Sequence, residues 1–181
     1  GLATPPVWAA SPSTPEFETN ATYQVDVQMR KPDEEGGWNS SFYSHLQRTA
    51  TVTTDSDGNP TLELRFPEVV VWADDYETSE TQWVTGVQVY EKDSTDPVAL
   101  EFNEVSFTEG YYTIRGEATF VLPYWDSNEY TGTVTLNNKT QSDMVLTVDW
   151  STLEQVLPEA AVPEITPNGA DFETSQEVTI T

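Results

Sequence analysis

The residues that could carry chemistry in this chain are mainly carboxylates. It has 31 Asp and Glu residues against 7 Lys and Arg, no cysteine and a single histidine, His45. These numbers exclude disulfides, thiolate nucleophiles, cysteine metal sites and sites built on several histidines. The sequence has no Gly-rich phosphate loop and no serine nucleophile elbow, and no carboxylate spacing singles out a glycosidase pair. We therefore predict that the protein is not an enzyme.

The formal net charge of −24 limits the partners of this chain. Nucleic acids and anionic membrane surfaces bind basic patches on proteins, and an acidic protein surface repels both of these partners. No run reaches the roughly 20 apolar residues of a membrane helix. We expect no nucleic-acid partner and no membrane insertion in this fragment, and a monomer by default.

Three short polar features admit a ligand or a plain structural role. The run Asp55-Ser-Asp-Gly-Asn59 resembles part of a calcium loop, but a hairpin turn accounts for every residue in it. Asp74 and Asp75, with Glu77, are typical of a solvated acidic loop. His45 could be a ligand to a bound group or be hydrogen-bonded at the surface.

Short segments with alternating apolar residues predict the elements that position these groups. A first strand over 22–29 is followed by a short helical turn within 39–46. A hairpin follows, with strands over 49–53 and 61–66. Further strands are predicted over 69–72, 81–91, 99–107, 111–114, 117–122, 130–136 and 144–150. The fold class is therefore all-β: an Ig-like antiparallel β-sandwich of eight or nine strands with one short 3₁₀ or α turn after the first strand.

Composition divides the chain into three parts. Residues 1–19 are a Pro-rich linker, from which Trp8 and Phe17 could dock onto the domain. Residues 20–155 form the sandwich, and 151–155 are expected to close it with a helical turn. Residues 156–181 are a second linker and the truncated start of another β domain. The lack of a signal peptide indicates a fragment of a longer protein.

The order of these elements resembles a known family. The strings Tyr23-Gln-Val-Asp-Val-Gln-Met29, Ser40–Leu46 and Met144-Val-Leu-Thr-Val-Asp-Trp-Ser-Thr-Leu153 are similar to NEAT (near-iron-transporter) domains of Gram-positive cell-surface proteins, over about residues 18–155. The tail resembles the opening of a chitobiase/Fn3-associated domain. This resemblance implies an extracellular location at the bacterial cell surface or cell wall.

The resemblance also implies a haem site between the 3₁₀ turn and the last hairpin. Lys139 and Asp143 stand where the family has its tyrosine pair, the first member of which ligates iron. Met144 is either a soft axial ligand or, more simply, core filling. The implied walls of the site are Ser40, Phe42, Tyr43 and Leu46 on one side and Leu136, Lys139, Asp143 and Met144 on the other.

Two other functions fit the same fold. Under the haem-binding hypothesis, the partner is haem or a haemoprotein. The missing tyrosines instead favour an adhesion module that binds a glycan or a host protein. Five aromatic residues in loops or at strand ends could either stack on sugar rings or fill the core: Trp72, Tyr76, Trp83, Tyr124 and Trp125. For Trp83 we expect the core role. A purely structural spacer is the third hypothesis.

Overall fold

Alternating apolar and polar side chains build ten antiparallel strands. The computed structural model describes residues 14–122 and 124–158. The strands are β1 (Thr22–Arg30), β2 (Thr49–Thr54), β3 (Pro60–Pro67), β4 (Val69–Trp72), β5 (Ser79–Gln82), β6 (Val84–Val89), β7 (Leu100–Glu109), β8 (Tyr112–Phe120), β9 (Glu129–Leu136) and β10 (Gln141–Gln155). Two 3₁₀ turns, Gly37–Asn39 and Tyr43–His45, lie between β1 and β2. No helix within the described ranges could span a membrane.

Eight of the strands form one sheet in the order β6-β9-β10-β1-β2-β3-β8-β7, while β4 and β5 form a separate two-stranded ribbon. The large sheet folds over so that β6, at one edge, approaches β8, next to the other edge. A Cβ atom on Gly116 of β8 would lie only 3.3 Å from the carbonyl oxygen of Val84 in β6. The predicted all-β sandwich, with a 3₁₀ segment after the first strand, is confirmed.

The core lies between the two halves of the folded sheet. Every second residue of β1 is buried, and β2, β3 and β8 alternate in the same way. Tyr130 is the largest fully buried side chain, and its hydroxyl donates to the carbonyl of Tyr124 at 2.9 Å. Burial raises the pKa of Tyr130, so this hydroxyl stays protonated and keeps its hydrogen bond.

Three predicted element boundaries are wrong, each because of pairing between distant strands. The strands predicted over 111–114 and 117–122 form the single strand β8, where Gly116 leaves room for the Phe102 ring. The strand predicted over 81–91 is divided at Trp83 between β5 and β6. Residues 151–155 are not helical but extend β10, because Glu154 and Gln155 pair with β1.

The described part of the predicted N-terminal linker contacts the sandwich. The Phe17 ring packs edge-on against Tyr23 at 5.3 Å and against Trp125 at 5.5 Å, which confirms that it docks. Trp8 and the predicted start of a following domain after residue 158 lie outside the described residues.

Candidate functional site

Strand direction brings four connections to one end of the sandwich, which we call the loop end. β1 ends there and β2 begins there, because Asp26 pairs with Thr49. The same antiparallel pairing places three further connections at this end: β3 to β6, β7 to β8 and β9 to β10. The loop end therefore consists of residues 31–48, 68–83, 110–111 and 137–140.

All five aromatic side chains that are exposed within the described ranges lie at or beside the loop end. Trp38 and Tyr76 are each 84% exposed, Tyr111 is fully exposed, Trp72 is 58% exposed and Tyr112 is 49% exposed. Four of them lie within three of the four connections at this end, and we call Trp38, Trp72, Tyr76 and Tyr111 the aromatic rim. Aromatic residues concentrated in this way on loops of a rigid scaffold are typical of an interaction site.

The loop that carries Trp38 is tied down by hydrogen bonds. The Glu34 carboxylate accepts from the hydroxyls of Ser40 and Ser41 and from the Ser41 amide, all within 3.1 Å. Partial burial raises the pKa of Glu34, but these hydrogen bonds outweigh it and lower the pKa overall. The Arg30 guanidinium donates to the carbonyls of residues 31, 32 and 34. Trp38 is therefore presented to solvent by an ordered loop.

Trp72 and Tyr76 belong to the β4–β5 ribbon, residues 69–82, which we call the arm. At its tip, the Asp75 carboxylate accepts from the backbone amides of Glu77 and Thr78 at 2.8 and 3.0 Å. These hydrogen bonds lower the pKa of Asp75. Tyr76 has a φ of +55°, and its amide donates to the Ala73 carbonyl. A defined turn therefore holds the backbone at Tyr76, from which the ring projects into solvent.

The base of the arm is held on both sides by the rest of the loop end. Gln82 contacts His45 of the second 3₁₀ turn, with Oε1 3.1 Å from Nε2. On the other side, the Asn137 side chain accepts from the Trp83 amide at 3.0 Å and donates to the Thr81 carbonyl at 3.1 Å. Residues 81–83 therefore bridge the 3₁₀ turn and the β9–β10 hairpin, the two elements between which haem was predicted.

Five of the eight predicted haem-site residues are buried. Phe42, Leu46, Leu136 and Met144 are part of the main hydrophobic core. Ser40 is a buried polar residue beside them. The core-filling role considered for Met144 is confirmed, since this side chain is 1% exposed and lies against Gly132.

The other three predicted haem-site residues are accessible and have different surroundings. Tyr43 is half-buried, and the Arg48 guanidinium stacks over its ring at 4.6 Å. Lys139 is exposed at the β9–β10 turn with a φ of +71°. Asp143 lines a shallow cavity of about 350 Å³ with Lys31, Pro32, Asp33 and Ser142.

The five aromatic residues considered for sugar stacking do not form one strip. Trp72 and Tyr76 are on the arm. Trp83 follows the arm, and its ring is covered by the Arg115 guanidinium at 3.6 Å. It is half-buried and is not among the core residues of the described ranges, so the core role expected for it is wrong. Tyr124 and Trp125 lie at the opposite end of the sandwich and pack against the core. Of the two roles considered for Tyr124 and Trp125, the structure therefore shows the core role.

The Asp55–Asn59 segment is a hairpin turn, as one of the two interpretations predicted. The Asp55 carboxylate accepts from the amides of Asp57 and Asn59, each at 2.9 Å. The hydrogen bond from the Asn59 amide is the main cause of the lowered pKa of Asp55. Across residues 14–122 and 124–158, no group of three or more His, Asp or Glu side chains is placed to hold a metal ion.

His45 is buried rather than at the surface. Its side chain is 3% exposed, Nε2 lies against Gln82, and Nδ1 has no hydrogen-bond partner among the described residues. Burial lowers the pKa of His45, and its contacts with Gln82 and the Ser41 backbone only partly oppose this shift. The loop end therefore rests on a neutral histidine that anchors the arm.

We predict that the domain loses stability as His45 becomes protonated. Its pKa in the folded state is below the ordinary value of 6.5, so the unfolded chain binds the proton first as the pH falls. The histidine's contribution is complete above pH 6.5 and is lost progressively below it. Melting temperatures of the wild type and of His45→Gln, measured from about pH 7.5 to about pH 5.5, test this. The variant keeps all 31 carboxylates, so the difference between the two melting temperatures isolates the effect of His45. If the two melting temperatures fall in parallel as the pH is lowered, the prediction is wrong.

Sequence reasoning did not single out three of the exposed aromatic residues. Trp38 follows Gly36 and Gly37, and Tyr111 and Tyr112 follow Gly110. Gly37 and Gly110 have φ angles of +77° and +63°, which L side chains rarely adopt. An aromatic residue next to such a glycine is a signal that could have marked both turns as exposed aromatic tips.

No protein-family model and no curated protein matches this sequence.

Proposed function

We propose that this chain is a non-enzymatic binding domain of a bacterial cell surface, and that it holds a host protein at the aromatic rim. The observation that carries the proposal is the gathering of every exposed aromatic side chain of the described residues at or beside one end. Tryptophan and tyrosine dominate the energetically important positions of protein interfaces. The NEAT-like order of elements and the strong acidity support the extracellular location.

The charge of the arm indicates the kind of surface that it would contact. Between Val69 and Gln82 the chain has four acidic residues and no basic one: Asp74, Asp75, Glu77 and Glu80. All four are exposed around Trp72 and Tyr76. A partner with basic residues around an apolar patch complements this arrangement, and its binding would weaken as salt is added.

The test is to measure binding of the 181-residue chain to immobilised haemoglobin, fibrinogen, fibronectin and collagen at low and high salt. We expect saturable, salt-sensitive binding to at least one of them. A variant with serine at all four rim positions should lose that binding while keeping the melting temperature of the wild type. Equal binding by this variant would overturn the proposal, and binding to none of the four would favour the spacer hypothesis.

Haem is the second candidate ligand, supported only by the presence of the two elements to which the family resemblance assigns the site, a 3₁₀ turn after the first strand and the β9–β10 hairpin. Tyr43 is its most accessible aromatic wall residue. Without the phenolate ligand, we expect haem to bind more weakly than in tyrosine-ligated relatives.

Hemin titration tests this second candidate. We expect a saturable Soret change in the wild type that Tyr43→Ala weakens. The matched control is Tyr111→Ala, which removes an exposed ring from another turn. No Soret change in the wild type would remove haem as a ligand.

A further inference from the structure

A second site of different chemistry lies on the outer face of the sheet. A cleft of about 660 Å³ crosses β1, β2, β3, β8 and β7, and it is lined by the polar residues that alternate with the core. We call it the polar cleft. Its volume is within the range of about 300–1,000 Å³ that small-molecule sites occupy. None of the residues predicted to bind haem lines it except Leu46.

Strand register determines the floor of the polar cleft. Gln24 pairs with Thr51, Thr51 with Glu63, and Glu63 with Thr119, so one row of polar side chains runs across four strands. A second row contains Arg65, Glu117 and Asn103. Side chains in such rows point to the same face of the sheet. A chain-like ligand lying across the strands would therefore meet hydrogen-bonding groups along its whole length.

The charged groups of the cleft nearly cancel one another. Its lining contains Arg48 and Arg65 against Glu63, Glu109 and Glu117, a balance of +2 − 3 = −1 in a chain whose net charge is −24. Arg65 donates to Glu117 at 3.2 Å and to Glu109, and Gln47 also donates to Glu109 at 3.4 Å. These contacts hold Arg65, Glu109 and Glu117 to one another before any ligand arrives, which reduces the entropy cost of binding.

The remaining lining offers neutral donors and acceptors together with one aromatic ring. Hydroxyl and amide side chains include Gln24, Ser44, Thr49, Thr51, Asn103 and Thr119. Each can both donate and accept hydrogen bonds. Tyr112 is half-exposed at the loop end of the cleft and presents a flat apolar face. Many neutral hydroxyl and amide groups beside one aromatic ring match a ligand that carries many hydroxyls and apolar C–H faces.

We propose that the polar cleft binds a neutral oligosaccharide. A cationic ligand would meet two arginines, an anionic ligand would meet three glutamates, and an apolar ligand would leave the polar floor unsatisfied. A peptide strand would require a free sheet edge, whereas the cleft lies on a face. The site is independent of the aromatic rim, because Trp38, Trp72, Tyr76 and Tyr111 do not line it.

The test uses the isotopically labelled full chain and five neutral probes: cellohexaose, xylohexaose, mannohexaose, maltohexaose and chitohexaose. Each is titrated to millimolar concentration while backbone amide signals are followed by NMR. We expect saturable shifts for at least one probe, concentrated at Thr51, Glu63 and Thr119. Hexagalacturonate serves as the charged control, and its binding in preference to the neutral sugars would overturn the proposal.

Two adjacent tyrosines provide the matched variants. Tyr112→Ala removes the ring that lines the cleft and should weaken sugar binding by about fivefold or more. Tyr111→Ala removes an exposed ring that does not line the cleft and should leave the affinity unchanged. The proposal is overturned if no probe shifts the cleft amides, or if Tyr111→Ala and Tyr112→Ala weaken binding equally. Loss of host-protein binding in the rim variant with retained sugar binding would separate the two sites.

Discussion

Replacing Trp72 with alanine should weaken binding of the chain to its host-protein partner by about 30-fold, which corresponds to about 2 kcal/mol. Trp72 is 58% exposed on the outward face of the arm, next to Val70, which is 54% exposed. The opposite face of β5 holds Gln82 against His45, so the arm is already fixed before binding. A large aromatic side chain on a rigid support loses little entropy in an interface, and so most of its contact energy is retained.

Surface plasmon resonance with the partner found in the panel measures this effect. Val121→Ala is the matched control, because Val121 is 62% exposed at the opposite end of the sandwich. We expect this control to bind as the wild type does and both variants to melt at the wild-type temperature. A Trp72→Ala affinity equal to that of Val121→Ala would show that the arm is not part of the interface.

The Gly132→Ala variant should destabilise the domain by about 3 kcal/mol or more. A Cβ atom at this position of β9 would lie 1.9 Å from the Gln88 carbonyl oxygen and 2.9 Å from the Met144 methyl group. The first of these neighbours is backbone, so β6 and β9 must move apart to accommodate the methyl group. The strand pair that forms this edge of the sheet would be disrupted, and the β9–β10 hairpin of the loop end depends on it.

Urea unfolding followed by tryptophan fluorescence measures the loss of stability. Gly86→Ala is the control, since it adds the same methyl group to β6, where the nearest atom is 3.8 Å away. Because alanine leaves the unfolded chain fewer conformations than glycine does, this control should be neutral or slightly stabilising. Equal unfolding midpoints for the two variants would contradict the close approach of β6 and β9.

Local patterns predicted most of the fold. The alternation in β1, the Asp55–Asn59 turn between β2 and β3, and the short 3₁₀ segment before β2 all depend on neighbouring residues, and all three are confirmed. The break at Trp83 and the strand at 151–155 were missed because partners far along the chain determine them. Asn137 holds the amide of Trp83, and β1 pairs with Glu154 and Gln155.

The candidate sites were less predictable than the strands. Phe42 and Leu136 were chosen as pocket walls on the basis of family resemblance, whereas packing buries both of them in the core. Apolar side chains next to a turn can face a cavity or the interior with the same sequence pattern, and only the opposing element decides between the two. In the same way, the sequence does not show that Trp38 and Trp72 lie at one end.

By itself, the sequence determined that this protein is an acidic, cysteine-free chain of short amphipathic strands, because charge, residue type and period-two alternation are local properties. The tertiary structure alone decided that Trp38, Trp72, Tyr76 and Tyr111 lie at one end, and that Thr51, Glu63 and Thr119 line one cleft. These groupings arise from pairings such as Glu63 with Thr119. Register between strands so far apart is set by how the whole core packs, and no local segment encodes it.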